Sequence, residues 1–277
     1  MAANAGRYPV SAQCRILGVP RSTYYHMLAN PPAPPAPDPM EPDVPGAFGA
    51  PRGGHGARGL EVALARSGIT ASGRRICRIL GENGPSGAYS GRGPGPSRPA
   101  APPGAADALG GGLDGHRPRT HVAAGLAYVR AGSRWCYVCL LVDLCDREAV
   151  GCSCGRREDA SLVKAAFSDA EFPLTGIEVF HSDRGAGLCD AEIDAILTAF
   201  GIDRSVSRPG SPHDDAVVES TSRILERELV AGGRFASEEE LRAALFDWAD
   251  WYDDFRIHST LGYMSPVEFR EAGLILS

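Results

Sequence analysis

The pattern of apolar and polar positions changes near residue 120. Beyond it, short apolar runs bounded by turn residues alternate with segments whose apolar residues recur at helical spacing. Three successive strands followed by alternating helices and strands predict an α/β fold for this part of the chain. The predicted strands cover 121–130, 134–145, 149–155, 176–182 and 202–208. The predicted helices cover 158–172, 189–201, 215–230 and 237–255.

The N-terminal segment 9–28 has the pattern of two short helices joined by a tight turn. Ser11 is the predicted N-cap of the first helix, and Pro20 suits the start of the second. The pattern fits a helix–turn–helix whose second helix approaches DNA, and it fits an ordinary pair of antiparallel helices equally well. The second helix is expected to present three side chains outward, Arg21, Ser22 and Thr23.

Two tracts rich in glycine, proline and alanine interrupt the chain before residue 120 and show no periodicity, which predicts linkers. Between them lie two weaker helical patterns that glycines interrupt. The sequence therefore predicts five consecutive segments. They are a helix–turn–helix over 7–28, a disordered linker over 29–56, a helical region over 57–89, a second disordered linker over 90–118, and an α/β domain over 119–273.

Charge divides the 277 residues in the same place. Residues 1–120 carry thirteen arginines and seven acidic residues, whereas residues 121–277 carry fifteen basic and twenty-seven acidic residues, so the net charges are +6 and −12. This asymmetry favours phosphate contacts in the first part and cation binding in the second, although a solvated acidic surface explains many of the carboxylates.

The chain contains no apolar run long enough to span a membrane and no N-terminal secretory pattern, so a cytoplasmic (bacterial) protein without a membrane partner is expected. In that compartment its eight cysteines are expected to be thiols. Cys136 and Cys139 fall at an odd offset in a predicted strand, which places them on opposite faces of the sheet. That arrangement favours two buried thiols over a zinc site.

Two carboxylates are candidates for chemistry. Asp183 in "HSDRG" follows a predicted strand, at the kind of strand end where α/β sheets bind ligands, although an aspartate there can also simply form the turn. Glu219 projects from the first turns of the helix over 215–230, away from its apolar stripe. A strand-end carboxylate and a helix carboxylate can together hold Mg²⁺, and two such ions can drive phosphoryl transfer. The apolar stripe of the helix is Val218, Leu225 and Leu229.

Thirty-five residues separate Asp183 from Glu219. With this interval and the stretches "HSDRG", "SRPGSPHDDAVVESTSRILERELV" and "YDDFRIHSTLGYMSPVEFREAG", the chain resembles the insertion-sequence transposases that have a retroviral-integrase-like catalytic core. The N-terminal "CRILGVPRSTYY" resembles the helix–turn–helix that precedes such cores. The resemblance covers residues 7–28 and 121–273 well and residues 57–89 weakly, and it implies that 57–89 is a degraded helical DNA-binding region.

The resemblance implies an RNase H-like fold, with a mixed sheet flanked by helices, and a catalytic core over 119–273. It also implies an Asp–Asp–Glu triad that binds Mg²⁺ or Mn²⁺, frees a 3′-OH at the element's end and drives its attack on target DNA, with several copies of the chain acting on paired ends. Asp183 and Glu219 are then the second and third members of the triad, as catalytic residues and metal ligands. Candidate DNA contacts are Arg21, Ser22, Thr23, Arg184 and Arg223.

The first member of the triad is missing. The segment matching the family's first core strand is "AAGLAYV", and Gly125 stands where the family has aspartate. A glycine has no side-chain oxygen to bind a metal, and Asp143 on the next strand is only a weak substitute. We therefore expect either a transposase whose metal-dependent cleavage and strand transfer are impaired, or a catalytically inactive remnant that binds element ends or inhibits active transposase. Either way, the sequence is interpreted as a degraded copy.

Two histidine-containing stretches leave alternatives open. His181 is expected to orient Asp183, to approach a phosphate, or simply to end the strand. His258, Ser259 and Thr260 belong to the C-terminal family motif and are expected to pack against the core rather than to contact DNA.

Overall fold

The computed structural model describes most of the chain in ten stretches. They are residues 1, 4–30, 38–44, 55–83, 109, 112–183, 188, 191–208, 216–230 and 233–276. The described residues form two compact units, Met1–Glu41 and Pro42–Ser277. Most of the two predicted linkers, together with Arg184, lies outside the described residues.

The first unit contains the two predicted short helices, α1 (Val10–Ile16) and α2 (Arg21–Ala29). The prediction that Ser11 caps α1 is wrong, because the helix begins directly after Pro9 and no side chain caps it. Extended backbone at Pro9 and Pro20 starts each helix instead, and proline's fixed φ suits that role. The expected outward side chains Arg21, Ser22 and Thr23 are all exposed.

The second unit begins with a pair of helices, α3 (Ala57–Arg66) and α4 (Gly73–Asn83). Their apolar residues recur three and four positions apart, so each helix buries one face against the other. The turn between them passes through Gly68, whose φ of 79° is easily adopted only without a side chain. The buried contact residues are Leu60, Leu64, Ile76 and Ile79.

A five-stranded mixed sheet forms the centre of the second unit. Its strands are β1 (His121–Ala131), β2 (Arg134–Asp143), β3 (Ala149–Gly155), β4 (Val179–Ser182) and β5 (Asp203–Val206). The strand order is β3–β2–β1–β4–β5. The first three strands are antiparallel, and β4 and β5 run parallel to β1. This mixed α/β sheet flanked by helices confirms the predicted fold class.

Helices cover both faces of the sheet. They are α5 (Ala160–Asp169), α6 (Ala191–Phe200), α7 (Ala216–Leu225), α8 (Glu238–Asp254) and α9 (Pro266–Glu271). One buried cluster joins α7 and α8 to one face of the sheet, and a second joins α5 and α6 to the other. Cys136 lies in the first cluster and Cys139 in the second, which confirms the expectation of two buried thiols on opposite faces.

The helix predicted over 215–230 departs from regular geometry in its last turn. The α-helical part is followed by a π-helical turn over Glu226–Val230. The predicted apolar stripe of Val218, Leu225 and Leu229 is buried, as expected. A π-turn widens the helix by one residue per turn and often lies at a functional position. Here it contains Glu228, which is buried against Arg256.

Two parts of the structure differ from the sequence-based expectation. Val44 and Met40, inside the predicted linker over 29–56, are buried, although most of the described residues around them are exposed. The short helix α9 was not predicted, although Ser265 and Glu268 form a capping box at its start. Among the helices that can be described, none has the length and apolar character needed to cross a membrane.

Candidate functional site

Asp183 lies directly beyond the end of β4, as predicted. In the parallel pairing of β4 with β1, Ser182 is opposite Ala124, so the next residue of β4 comes level with Gly125. Asp183 is partly buried at this strand end. Asp183, the second expected carboxylate, therefore lies level in the sheet with Gly125, where the first carboxylate is expected.

Gly125 faces helix α7 at very short range. It shares its face of β1 with Ala123 and Ala127, which pack in the cluster that contains α7 and α8. A Cβ atom added at Gly125 would lie 2.1 Å from Val218 Cγ1 and 3.2 Å from Ser222 Oγ. Real carbon atoms do not approach to the first distance. The space that a first carboxylate would enter is thus filled by the side chain of Val218.

Glu219 lies in the first turn of α7, next to Val218, and its side chain is exposed, as predicted. Its Oε1 accepts a 2.7 Å contact from Arg223 Nη2 one turn later. Both side chains are more than half exposed, so this ion pair contributes at most about 0.5 kcal/mol. Asp214 and Asp215, which directly precede the helix in the sequence, lie outside the described residues.

The residues at this site do not fit a pair of divalent metal ions. Mg²⁺ prefers oxygen ligands in nearly ideal octahedral geometry, and two-metal sites need carboxylates that bridge the ions. Gly125 supplies no oxygen, and Val218 places a methyl group where that ligand would begin. Among the residues described, no group of three or more His, Cys, Asp or Glu side chains could hold a metal ion.

His181 is fixed inside the sheet, one strand position before Ser182. Its Nδ1 is hydrogen-bonded to Ser205 Oγ at 2.9 Å, and its Nε2 to Ser207 Oγ at 3.1 Å. The ring is buried, so it does not approach a phosphate from this position. His181 therefore ties β4 to the end of β5, and the alternative that it orients Asp183 stays a prediction.

Asp143 lies at a different place in the sheet. It pairs with Val122, three residues from Gly125 along β1, which corresponds to roughly 10 Å of strand. Its carboxylate accepts hydrogen bonds from the backbone amides of Arg119 and of Cys145, the latter at 2.6 Å. Burial raises the pKa of Asp143 to about 6. Asp143 therefore closes the turn after β2, and its position argues against a role as the substitute ligand.

A second buried carboxyl, Asp146, lies in the same turn. Its Oδ1 accepts a 2.9 Å hydrogen bond from the amide of Glu148, whereas Oδ2 has no hydrogen-bond partner in the described structure. Burial first, and then the neighbouring Asp143 charge, raise the pKa of Asp146 to about 7. Because the unfolded carboxyl ionises at its ordinary pKa of 3.8 while the folded one stays protonated up to about 7, this turn loses stability as the pH rises between these two values and loses no more above them.

We therefore expect Asp146→Asn to stabilise the protein at pH 8 by about 1–3 kcal/mol, since asparagine fills the site without a buried charge. At pH 5 the aspartate is protonated in the folded state but already largely ionised in the unfolded chain, so the gain should be smaller than at pH 8. Urea unfolding at both pH values measures the difference, with Asp203→Asn, on the exposed start of β5, as the matched control. An equal gain at both pH values would contradict the assignment of a raised pKa.

The sequence analysis missed a buried ion pair behind the candidate site. Arg256 contacts Glu228 at 2.9 Å, and the two side chains are only 8% and 3% exposed. Burial raises the pKa of Glu228, and the Arg256 cation opposes that rise. The stretch "FRIHSTLGY" gives no spacing signal for this pair, because its partner lies twenty-eight residues earlier. His258 is buried beside the pair, as expected, whereas Ser259 and Thr260 are exposed.

Comparison with protein families identifies two adjoining matches in the second unit. One integrase core domain family matches residues 115–212, and a second family of the same description matches residues 200–266. Together the two matches cover more than half of the chain and include β1 to β5 and α5 to α8.

Curated relatives are bacterial. The chain is 30% identical over 150 residues to the transposase for insertion sequence element IS904 from Lactococcus lactis, covering 53% of this chain and 59% of that protein. It is 31% identical over 160 residues to transposase InsF for insertion sequence IS3A from Escherichia coli, covering 57% and 56%. The chain thus spans little more than half the length of these relatives.

Solved structures with a similar arrangement include viral integrases. A chain of the simian T-cell lymphotropic virus intasome in complex with PP2A regulatory subunit B56 gamma has a TM-score of 0.47 at 16% identity, covering 76% of this chain and 69% of that one. The HTLV-2 integrase catalytic core domain in complex with magnesium has a TM-score of 0.40 at 16% identity, covering 55% and 97%.

Proposed function

Because the chain belongs to the integrase-core family that includes insertion-sequence transposases, we propose that it binds DNA but does not catalyse metal-dependent strand transfer. One observation supports the proposed lack of metal-dependent strand transfer. Gly125 stands where the first carboxylate of the triad is expected, and Val218 Cγ1 fills the space above it. Asp183 and Glu219 remain in place, but without a third carboxylate they lack the bridging ligand of a two-metal site.

The proposed partner is DNA, at the ends of an insertion element, bound by several copies of this chain. Exposed arginines on short helices support this proposal, since phosphate contacts provide most of the sequence-independent affinity for DNA. Helix α2 exposes Arg21, Ser22 and Thr23, and helix α4 carries Arg74, Arg75 and Arg78 with no acidic residue in its first turn. Residues 57–83 carry five arginines against two glutamates, so this helix pair is basic within an acidic chain.

A second candidate function is residual catalysis. Asp183 and Glu219 are both retained at the positions that the resemblance assigns to catalysis, and one divalent ion can bind through only two protein carboxylates. In that case Asp183 and Glu219 would hold a single Mg²⁺ or Mn²⁺ ion, which would supply Lewis-acid chemistry for slow cleavage.

A strand-transfer assay with a DNA end, Mg²⁺ or Mn²⁺ and target DNA separates the two candidates. We expect a gel-shift assay to show a protein–DNA complex, with no strand-transfer product above the background of Asp183→Asn. We expect the unaltered chain and Asp183→Asn to give the same background of strand-transfer product, because the substitution removes a ligand from a site that is already incomplete. Robust product that disappears in Asp183→Asn would establish residual catalysis instead.

A further inference from the structure

Helix α3 is held at its C-terminal end by the last part of the chain. Arg66 Nη1 contacts Glu268 Oε1 at 3.0 Å, and Arg66 Nη2 contacts Glu268 Oε2 at 3.0 Å and the carbonyl oxygen of Tyr263 at 2.7 Å. The guanidinium thus makes a two-pronged contact with a carboxylate and a third hydrogen bond to the backbone. Such fork-to-fork pairs are specific in direction as well as in charge.

The two acceptors are fixed by their own local structure. Glu268 Oε2 accepts a 2.8 Å hydrogen bond from the amide of Ser265, and Ser265 Oγ accepts one from the amide of Glu268 at 3.1 Å. Gly262 and Tyr263 both have positive φ, 65° and 63°, and the amide of Tyr263 donates to the His258 carbonyl at 2.7 Å. This backbone conformation costs a non-glycine residue energy, and it presents the Tyr263 carbonyl to Arg66.

The N-terminal end of α3 is close enough to Arg256 to feel its charge. His55, two residues before the helix, is partly buried. Burial first, and then the Arg256 cation, lower the pKa of His55 to about 4. Burial first, then Arg256, and after it His55 lower the pKa of His258. Arg66 thus contacts the segment 256–268 at one end of α3, and Arg256 of that segment lies near the other end.

That segment also contacts the helix of the candidate site. Arg256 forms its buried ion pair with Glu228, in the π-turn that continues α7. Helix α3 packs on α4 through Leu60 and Leu64, so the placement of α4 follows that of α3. The segment 256–268 thus links the basic helix α4, through Arg66 and Arg256, to the helix that carries Glu219 and Arg223.

We propose that Arg66 is a positioning residue for DNA binding, which holds α3 and α4 on the integrase core so that the arginines of α4 and Arg223 of α7 bind one duplex together. The inference rests on the proposed function as a DNA-binding protein. Without this contact the arginines of α4 remain attached to the chain but are no longer pre-organised for the same duplex. Affinity then falls because ordering must occur during binding.

The expected effect on DNA binding differs from the expected effect on folding. The Arg66 and Glu268 side chains are 43% and 45% exposed, so their ion pair contributes under about 1 kcal/mol to stability. Arg66→Met should therefore leave the urea unfolding midpoint nearly unchanged. Its affinity for labelled duplex DNA should fall by about tenfold at low salt. The slope of log affinity against log salt should also decrease by about 2, because roughly 0.9 is lost for each phosphate contact.

Three further variants sharpen the experiment, in which fluorescence anisotropy of the full chain is measured at several salt concentrations. Arg66→Lys keeps the positive charge but loses the two-pronged contact with Glu268, so its affinity for DNA should lie between those of the wild type and Arg66→Met. Glu268→Gln keeps the capping box, which accepts glutamine, but removes the charge, so it should reduce affinity by an intermediate amount. Arg157→Met, at an exposed arginine between β3 and α5, controls for the loss of one positive charge.

Failure of the positioning role is distinguishable from failure of the proposed function. Equal affinity and equal salt slope for Arg66→Met and Arg157→Met would overturn the positioning role while DNA binding stands. Wild-type affinity and slope in Arg74→Met/Arg78→Met would overturn it as well, since α4 would then not touch the duplex. A wild-type chain that does not bind duplex DNA at any salt concentration would overturn both proposals.

Discussion

Replacing Arg256 by methionine is expected to lower the free energy of unfolding by about 3–5 kcal/mol, the largest loss for any single substitution considered. Arg256 Nε and Nη2 each lie 2.9 Å from Glu228 Oε1, and both side chains are almost completely buried. Removing one partner leaves the other as an unpaired charge in a medium that solvates it poorly. The only other side-chain donor described at Glu228 is Trp248 Nε1, at a weak 3.4 Å.

The loss should depend on pH in a defined direction. Burial already raises the pKa of Glu228 while the Arg256 cation lowers it, so removing the cation raises this pKa further. A buried carboxyl with a raised folded-state pKa costs little stability below its ordinary pKa, and the cost grows as the pH rises from that value to the folded-state pKa and is constant above it. The destabilisation of Arg256→Met should therefore be larger at pH 8 than at pH 5.

Urea unfolding at the two pH values measures both statements. The double variant Arg256→Met/Glu228→Gln is the matched comparison, because it removes both charges and should recover much of the loss of the single variant. A single-variant loss below about 1 kcal/mol, typical of exposed ion pairs, would show that Glu228 is solvated in solution. A loss that grows toward pH 5 would show that another group dominates the titration.

Local patterns predicted the elements of the sheet well, and for a physical reason. Strand β3 matches its prediction over 149–155, because its small apolar residues lie between clear turn residues. The exposure of Glu219 followed from helical spacing against the buried Val218, Leu225 and Leu229 stripe. These features depend on residues within two turns of each other, and such residues are visible in the sequence.

Contacts between residues that lie far apart in the sequence were not predictable. Arg66 and Glu268 are 202 residues apart, and neither has a neighbour that signals the other.

The cap of α1 was mispredicted because serine is a favoured cap in general, whereas here Pro9 starts the helix. The helix α9 was predictable in principle from "SPVE", in which serine, proline and glutamate occupy the capping-box positions.

Gly125 illustrates both what can be read from the sequence and what depends on packing. Its place in the family motif was visible in the sequence, and so was the absence of a carboxylate. The 2.1 Å approach of Val218 Cγ1 was not, because it depends on how closely α7 packs on β1. The backbone of Gly125 does not need glycine, since its φ is not among the positive values. Only the close contact with helix α7 requires a residue without a Cβ atom at position 125.

Gly125→Ala is accordingly expected to destabilise the protein by about 1–3 kcal/mol, because the new Cβ overpacks the contact between β1 and α7. Val218→Ala removes the opposing methyl groups, so the double variant should be more stable than the sum of the two single losses by at least about 1 kcal/mol. Gly176→Ala is the control, since a Cβ there meets nothing within 4 Å, and it should change stability by under about 0.5 kcal/mol.

The same reasoning predicts how a metal site could be rebuilt. Gly125→Asp alone should be less stable than Gly125→Ala, because the carboxylate meets Val218, and it should gain little from Mn²⁺. Gly125→Asp/Val218→Ala has room for the third carboxylate beside Asp183 and Glu219. Its free energy of unfolding should rise with Mn²⁺ by about 2.7 kcal/mol at a hundredfold excess over the dissociation constant.

Thermal unfolding with and without Mn²⁺ tests this expectation, with Asp183→Asn added to the double variant as the control that should lose the gain. Stabilisation of the unaltered chain by Mn²⁺, lost in Asp183→Asn, would mean that two carboxylates suffice and that Gly125 does not disable the site. Undiminished stability of Gly125→Asp together with Mn²⁺ binding would mean that Val218 gives way easily. In that case the loss of a ligand, and not the closure of the space around it, is what separates this chain from a metal-binding integrase core.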